Sequence, residues 1–104
     1  MQQFTLYENR GNNRINYPYF IDIQNDLLSQ LDSRIVLPLV ELANFRDKFP
    51  ANLCPKVRVD GEVFIILTHQ LTTVPIKSLT HPAGSLVEYR NTIISALDFL
   101  ITGI

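Results

Sequence analysis

Tryptophan is missing from this chain, cysteine occurs once and histidine twice in 104 residues. A single cysteine, Cys54, excludes an internal disulfide, so the fold must rest on a packed core, as proteins of the cytoplasm do. Basic excess is also missing. Nine Lys and Arg stand against ten Asp and Glu, a formal net charge of -1, whereas a free-standing nucleic-acid binder carries a clear positive surplus. No apolar run approaches the length of a membrane span and no signal peptide precedes the first strand, so a cytoplasmic protein without a membrane partner is expected. Catalytic signatures are missing as well: no glycine-rich phosphate loop, no G-x-S-x-G and no H-E-x-x-H. His69 and His81 lie far apart and neither has metal-ligand spacing. No catalytic residue, metal or cofactor is therefore expected.

What is present is a strand-rich pattern with one helix. Hydrophobic residues make up 46% and charged residues 18%, the composition of one globular domain over residues 1–104. Gln3 to Glu8 alternates and reads as a strand. A polar loop, Asn9 to Arg14, reads as a long mobile connection to a second strand, Tyr17 to Ile23. There Tyr19, Ile21 and Ile23 share one face and Phe20 and Asp22 the other. Asp22 faces water or pairs with a base such as Arg90. Leu27 and Leu28 are adjacent, which predicts one buried and one exposed. Arg34 to Val40 is a third strand, apolar on both faces and so central or at an oligomer interface, with pairing broken at Pro38. Glu41 to Pro50 reads as a helical turn and loop. Cys54 reads as a small buried hydrophobe with no histidine near it in sequence.

The clearest local signal is Asp60-Gly61 between the alternating runs Lys56–Val59 and Glu62–Thr68, which asks for a tight hairpin. Thr73 to Lys77 is a fifth extended piece and Thr80 to Gly84 a loop. The end of the chain, Ser85 to Ile104, has helical periodicity. Ser85 and Glu88 form an S-x-x-E capping box, and Leu86, Tyr89, Ile93, Leu97, Leu100 and Ile104 make an apolar stripe that Ile94 and Ile101 widen. Phe99 falls in the polar arc and is expected to be covered by another element. Arg90 falls in the apolar arc and is expected to be structural, its stem on the core and its head on a carboxylate or backbone partner. Gly103 occupies the place of a helix C-cap glycine. The architecture is several antiparallel strands with one C-terminal helix, an α+β but mainly β chain.

Taken in order, the pieces resemble a known family. Gln3-Phe4, the run from Phe20 through Leu27 and Leu28, Ile35-Val36-Leu37-Pro38-Leu39, Leu53-Cys54-Pro55, Thr73-Val74-Pro75-Ile76 and the final Gly103-Ile104 are similar to the CcdB toxins of plasmid and chromosomal toxin–antitoxin systems. The resemblance runs nearly end to end. It implies an SH3-like, barrel-type antiparallel sheet with a small strand wing and a C-terminal helix, and a symmetric homodimer. It implies binding to the A subunit of DNA gyrase through Leu27, Leu28, Asp98, Thr102, Gly103 and Ile104. The toxin dimer would wedge between two A subunits while the enzyme holds a double-strand break, blocking religation. A cognate antitoxin with a disordered tail would neutralise it, and the two together would repress their operon, operator DNA being contacted only through that complex.

Two positions depart from the family pattern. Thr102 stands where tryptophan is common and Asp98 where asparagine is common, and the loss of tryptophan removes stacking area from an interface. Two other readings come from different classes. One is an mRNA endoribonuclease of the same superfamily, for which His69, Arg58 and Asp22 are the candidate groups. The other is a dimeric binding module that does not poison.

Overall fold

A computed structural model describes residues 2–46 and 48–103. Seven strands, β1 (Thr5–Glu8), β2 (Tyr19–Asp22), β3 (Ser33–Glu41), β4 (Lys56–Val59), β5 (Glu62–Ile66), β6 (Thr72–Pro75) and β7 (Pro82–Ser85), precede one helix, α1 (Arg90–Thr102). The strands form one antiparallel curled sheet in the order β4-β5-β3-β2-β1-β7, with β6 also on β3. This is the mainly β, α+β architecture that the strand pattern predicts.

β3 is the spine. Its first half pairs with β6 (Arg34↔Val74, Val36↔Thr72) and its second half with β5 (Leu39↔Ile66, Glu41↔Phe64), while β2 runs along its other edge. Pro38 sits at the changeover. Leu67 N–H donates to the Pro38 carbonyl at 2.9 Å. Nitrogen and carbonyl of one residue point to the same side of an antiparallel strand, so the missing N–H of Pro38 falls in the gap between β6 and β5, where no ladder bond is lost. Both faces of β3 are covered inside this one chain. Leu37 and Leu39 join Phe4, Leu6, Ile21 and Ile93 in the largest core. Val36 packs with Tyr7 and Leu79 on the other face, and Val40 with Cys54, Ile65 and Leu67. The strand is therefore central.

The β4–β5 hairpin closes through Asp60 (φ 52) and Gly61 (φ 82), the left-handed pair whose twist matches the flanking strands. A Cβ at Gly61 would meet no atom within 4 Å, so replacing it strains only the backbone. Gly61→Ala is expected to cost about 1–2 kcal/mol, read as a lower urea midpoint with an unchanged slope.

Four expectations need correction here. The helix begins at Arg90, preceded by a 3-10 turn, Val87–Tyr89. Ser85 belongs to β7, where it pairs with Thr5, and its hydroxyl accepts from Val87 N–H at 3.2 Å. Sheet pairing takes the backbone that the capping box needed. Arg90 lies in the first helical turn, where Arg90, Asn91 and Thr92 are all exposed and burial begins only at Ile93. The face that packs is Ile93 and Ala96, both fully buried, with Tyr89, Ile94 and Leu97 partly covered. Phe99 is only half-buried. Finally, the loop after β1 is tied down. Asn9 is buried and its amide donates to Asn13 Oδ1 (2.8 Å) and the Tyr17 carbonyl (2.7 Å), while its Oδ1 accepts from Gly11 N–H (2.8 Å).

The partner of Asp22 is Arg34, not Arg90. Asp22 opposes Val36 across β2 and β3, so Arg34, two residues before Val36, is its diagonal neighbour on the same face, within reach of a long side chain. Both residues are 0% exposed. Arg34 Nε and Nη2 each lie 2.9 Å from Asp22 Oδ2, and Gln24 N–H donates to Oδ1 at 3.0 Å. Burial pushes the Asp22 carboxyl up from its ordinary value, while the Arg34 and Gln24 hydrogen bonds and the Arg34 charge pull it back. Removing one partner leaves the other charge uncompensated. Asp22→Asn is expected to cost about 3–5 kcal/mol in urea unfolding, and a well-packed apolar replacement of both residues to cost less than either single change.

Candidate interaction site

The site begins where β2 ends. Asn25 and Asp26 are turn formers, and they close a 3-10 turn, Asp26–Leu28, that contains no buried residue. Asn25 Oδ1 accepts from Leu27 N–H at 2.8 Å, and the Asn25 carbonyl accepts from Leu28 N–H at 3.0 Å. Ser29 Oγ donates to the Asp26 carbonyl. Leu27 is left 88% exposed and Leu28 49%. The expectation of one buried leucine fails because the turn is held by polar bonds at the rim of the sheet rather than by a leucine in the core.

The buried ion pair reaches directly into this turn. Arg34 Nη2 donates to the Gln24 carbonyl at 3.0 Å and stands 3.6 Å from Asp26 Oδ1. Asp26 Oδ1 also accepts from Gln3 N–H at 2.7 Å, and Gln24 Nε2 donates to the Leu28 carbonyl at 3.1 Å. Gln24 Oε1 accepts from Ile35 N–H at 3.1 Å, and Gln3 Nε2 donates to the Ile23 carbonyl at 2.9 Å. Gln3, Gln24, Asp26 and Arg34 therefore present Leu27 from a braced loop. None of them stood out as a site residue in the sequence. The available signal was the Gln-Asn-Asp run next to an acidic residue in an apolar strand.

The other part of the site is the helix end. Asp98 and Thr102 are exposed, and Thr102 Oγ1 donates to the Asp98 carbonyl at 2.7 Å. Gly103 takes φ 77 and its N–H donates to the Phe99 carbonyl at 3.0 Å, the left-handed cap that its type permits. Ile101 is 74% exposed. Ile104 lies outside the described residues. Among the described residues, no hydrogen bond or ion pair joins the Leu27–Leu28 turn to the helix end.

The chain matches the family model described as CcdB protein over residues 3–103. The chain belongs to the CcdB family. A solved crystal structure described as that of an Mtb toxin is similar in fold, with a TM-score of 0.69 at 12% identity, covering 92% of this chain and 99% of the other. Among the described residues of this CcdB family member, no helix is long and apolar enough to cross a membrane.

Among the described residues, the three groups proposed for RNA cleavage make no hydrogen bond or ion pair with one another. Asp22 is sealed in its ion pair. Arg58 lies exposed on β4, its backbone N–H on Tyr89 Oη at 3.1 Å. His69 lies between Cys54, whose Sγ is 3.6 Å from its Nδ1, and the ring of Phe49, with centroids 4.3 Å apart. Cys54 is buried as expected, and folding supplies the histidine contact that its sequence neighbourhood lacks.

The bracing has a testable consequence. Asp26→Ala removes the acceptor shared by Gln3 N–H and Arg34 while leaving Asp22 in place. Amide exchange at Leu27, Leu28 and Ser29 is expected to accelerate about tenfold or more, with a global stability loss of about 1–2 kcal/mol. Unchanged exchange at those amides would show that the bracing does not order the turn.

Proposed function

We infer that this CcdB family member is the toxin of a toxin–antitoxin pair, a one-domain cytoplasmic protein that binds the A subunit of DNA gyrase as a homodimer and traps the cleaved-DNA complex. The observation that carries this reading is Leu27, an almost fully exposed leucine on a turn braced by a buried ion pair. An apolar anchor held in place on an ordered loop spares the ordering cost on binding. Leu28 and the helix end, Asp98, Thr102, Gly103 and Ile104, complete the contact surface.

Dimerisation supplies the geometry. Both faces of β3 are covered within one chain, so the second copy is sought elsewhere. Half-buried Phe99 and Leu100 and exposed Ile101 instead leave apolar area on the helix end for a second copy. Each dimer then offers two turns and two helix ends to two gyrase A subunits, and wedges them apart while both strands are cut. The action is steric, with no bond made or broken by the toxin. A cognate antitoxin with a disordered tail wraps the dimer and neutralises it, and supplies the DNA contacts by which the pair represses its operon. The lack of basic excess in this chain accords with that division of labour.

One observation favours a weaker, non-poisoning module. The Thr102 hydroxyl donates its hydrogen to the Asp98 carbonyl, so it offers a partner only a methyl group and an acceptor oxygen where the family often places a large ring. The deciding experiment incubates the dimer with gyrase, supercoiled DNA and ATP, then adds detergent and protease. Accumulation of linear DNA supports poisoning. Binding to gyrase A without linear DNA supports the module.

Leu27→Ala is expected to change stability by no more than about 0.5 kcal/mol and to weaken gyrase A binding about tenfold or more. Deleting Gly103 and Ile104 should likewise spare the melting temperature and abolish killing. A truncated protein that is stable and still kills through gyrase would remove the helix end from the site.

A further inference from the structure

On the side of the sheet opposite α1, the loop after β1 and the segment after β6 flank a half-open cavity of about 430 Å³. That lies within the range of about 300–1,000 Å³ common for small-molecule sites. Arg10, Lys77, Ser78 and Thr80 line it beside half-buried Phe20 and Val74. Among the described lining residues there is no carboxylate. Two cations thus reach one concavity from two separate segments, in a chain whose basic residues are otherwise scattered.

The hydrogen bonds set the polarity of this wall. Arg10 Nη2 lies 3.1 Å from His81 Nε2. A guanidinium only donates, so His81 Nε2 accepts and its proton is on Nδ1. Nδ1–H then donates to Thr80 Oγ1 at 2.8 Å. Thr80 Oγ1 thereby serves as acceptor to the ring, and its own hydrogen is available to donate. The Ser78 hydroxyl, the Lys77 ammonium and the remaining guanidinium hydrogens add further donors. Glu8 stands 3.8 Å from Arg10 Nη1, an exposed pair of small worth that leaves the charge of Lys77 uncancelled. The loop backbone is fixed by buried Asn9, so Arg10 is carried on an ordered frame.

We propose that this cavity binds a small phosphate monoester, its phosphate held by Arg10, Lys77 and Thr80 and its flat apolar part laid against Phe20 and Val74. Charge-assisted bonds from a guanidinium and an ammonium suit a dianionic phosphate, and the apolar wall separates an ester from the free ion. The site is distinct from the Leu27 turn and the helix end, and does not depend on the gyrase reading.

The test titrates the full-length protein with adenosine monophosphate, adenosine, inorganic phosphate and polyglutamate, following backbone amide shifts. Adenosine monophosphate is expected to saturate shifts at Arg10, Lys77 and Thr80, with adenosine and inorganic phosphate each binding at least about tenfold more weakly. Lys77 is exposed, so Lys77→Glu should leave melting unchanged and reduce nucleotide affinity about tenfold or more. Arg10→Lys, which keeps the charge but loses the fork, should bind with intermediate affinity. Adenosine binding as tightly as its monophosphate, a Lys77→Glu protein that binds normally, or saturation by polyglutamate alone would each overturn the proposal.

Discussion

The structure depends on one buried ion pair. Arg34 and Asp22 join β2 to the central strand at full burial, and the same guanidinium reaches the Gln24 carbonyl and Asp26. Taking two charges out of water is costly, and their mutual attraction offsets this only with good geometry and further hydrogen bonds. Those bonds are present on Asp22 and on one side of Arg34, while Arg34 Nη1 has no hydrogen-bond partner among the described residues. An apolar pair would serve the core alone at least as well. What an apolar pair would not do is hold the Asn25–Ser29 turn, and that is where Leu27 is displayed.

The two ends of the proposed gyrase surface are therefore built by different physics. The turn is polar inside and apolar outside, ordered by side chains that grip its backbone. The helix end is ordered by its own ladder, capped by Gly103 and by the Thr102 hydroxyl. A substitution at the turn acts through rigidity, whereas one at the helix end acts through the surface it offers. A solved structure at 12% identity has a similar fold: the sheet needs only its apolar alternation, which many sequences supply.

Local chemistry explains what was legible in the sequence. The Asp60-Gly61 turn, the face assignments of β2, the two-sided apolar β3 and the Gly103 cap each depend on residue type and spacing within a few positions. Leu27, Leu28, Asp98, Thr102, Gly103 and Ile104 were named through resemblance to the CcdB family rather than through any spacing rule, and their binding role remains the proposal made above. The helix start was misplaced because a capping box is a local motif, and a pairing partner eighty residues away, Thr5, claimed Ser85 for β7. β7 itself, Pro-Ala-Gly-Ser, has no apolar alternation and exists only because β1 offers an edge.

The sequence by itself determined the antiparallel class, a third strand apolar on both faces, the tight hairpin, the C-terminal helix and the family, since each is written in contiguous patterns of apolar, turn-forming and matching residues. Tertiary structure alone decided which base neutralises Asp22, because a diagonal neighbour is defined by the register of two strands and not by either one. It also decided that Arg90 faces water, that both leucines of the turn are exposed, and that Arg10 and Lys77 share a cavity. Each of these joins residues from separate segments, and only chain folding sets the distance between them.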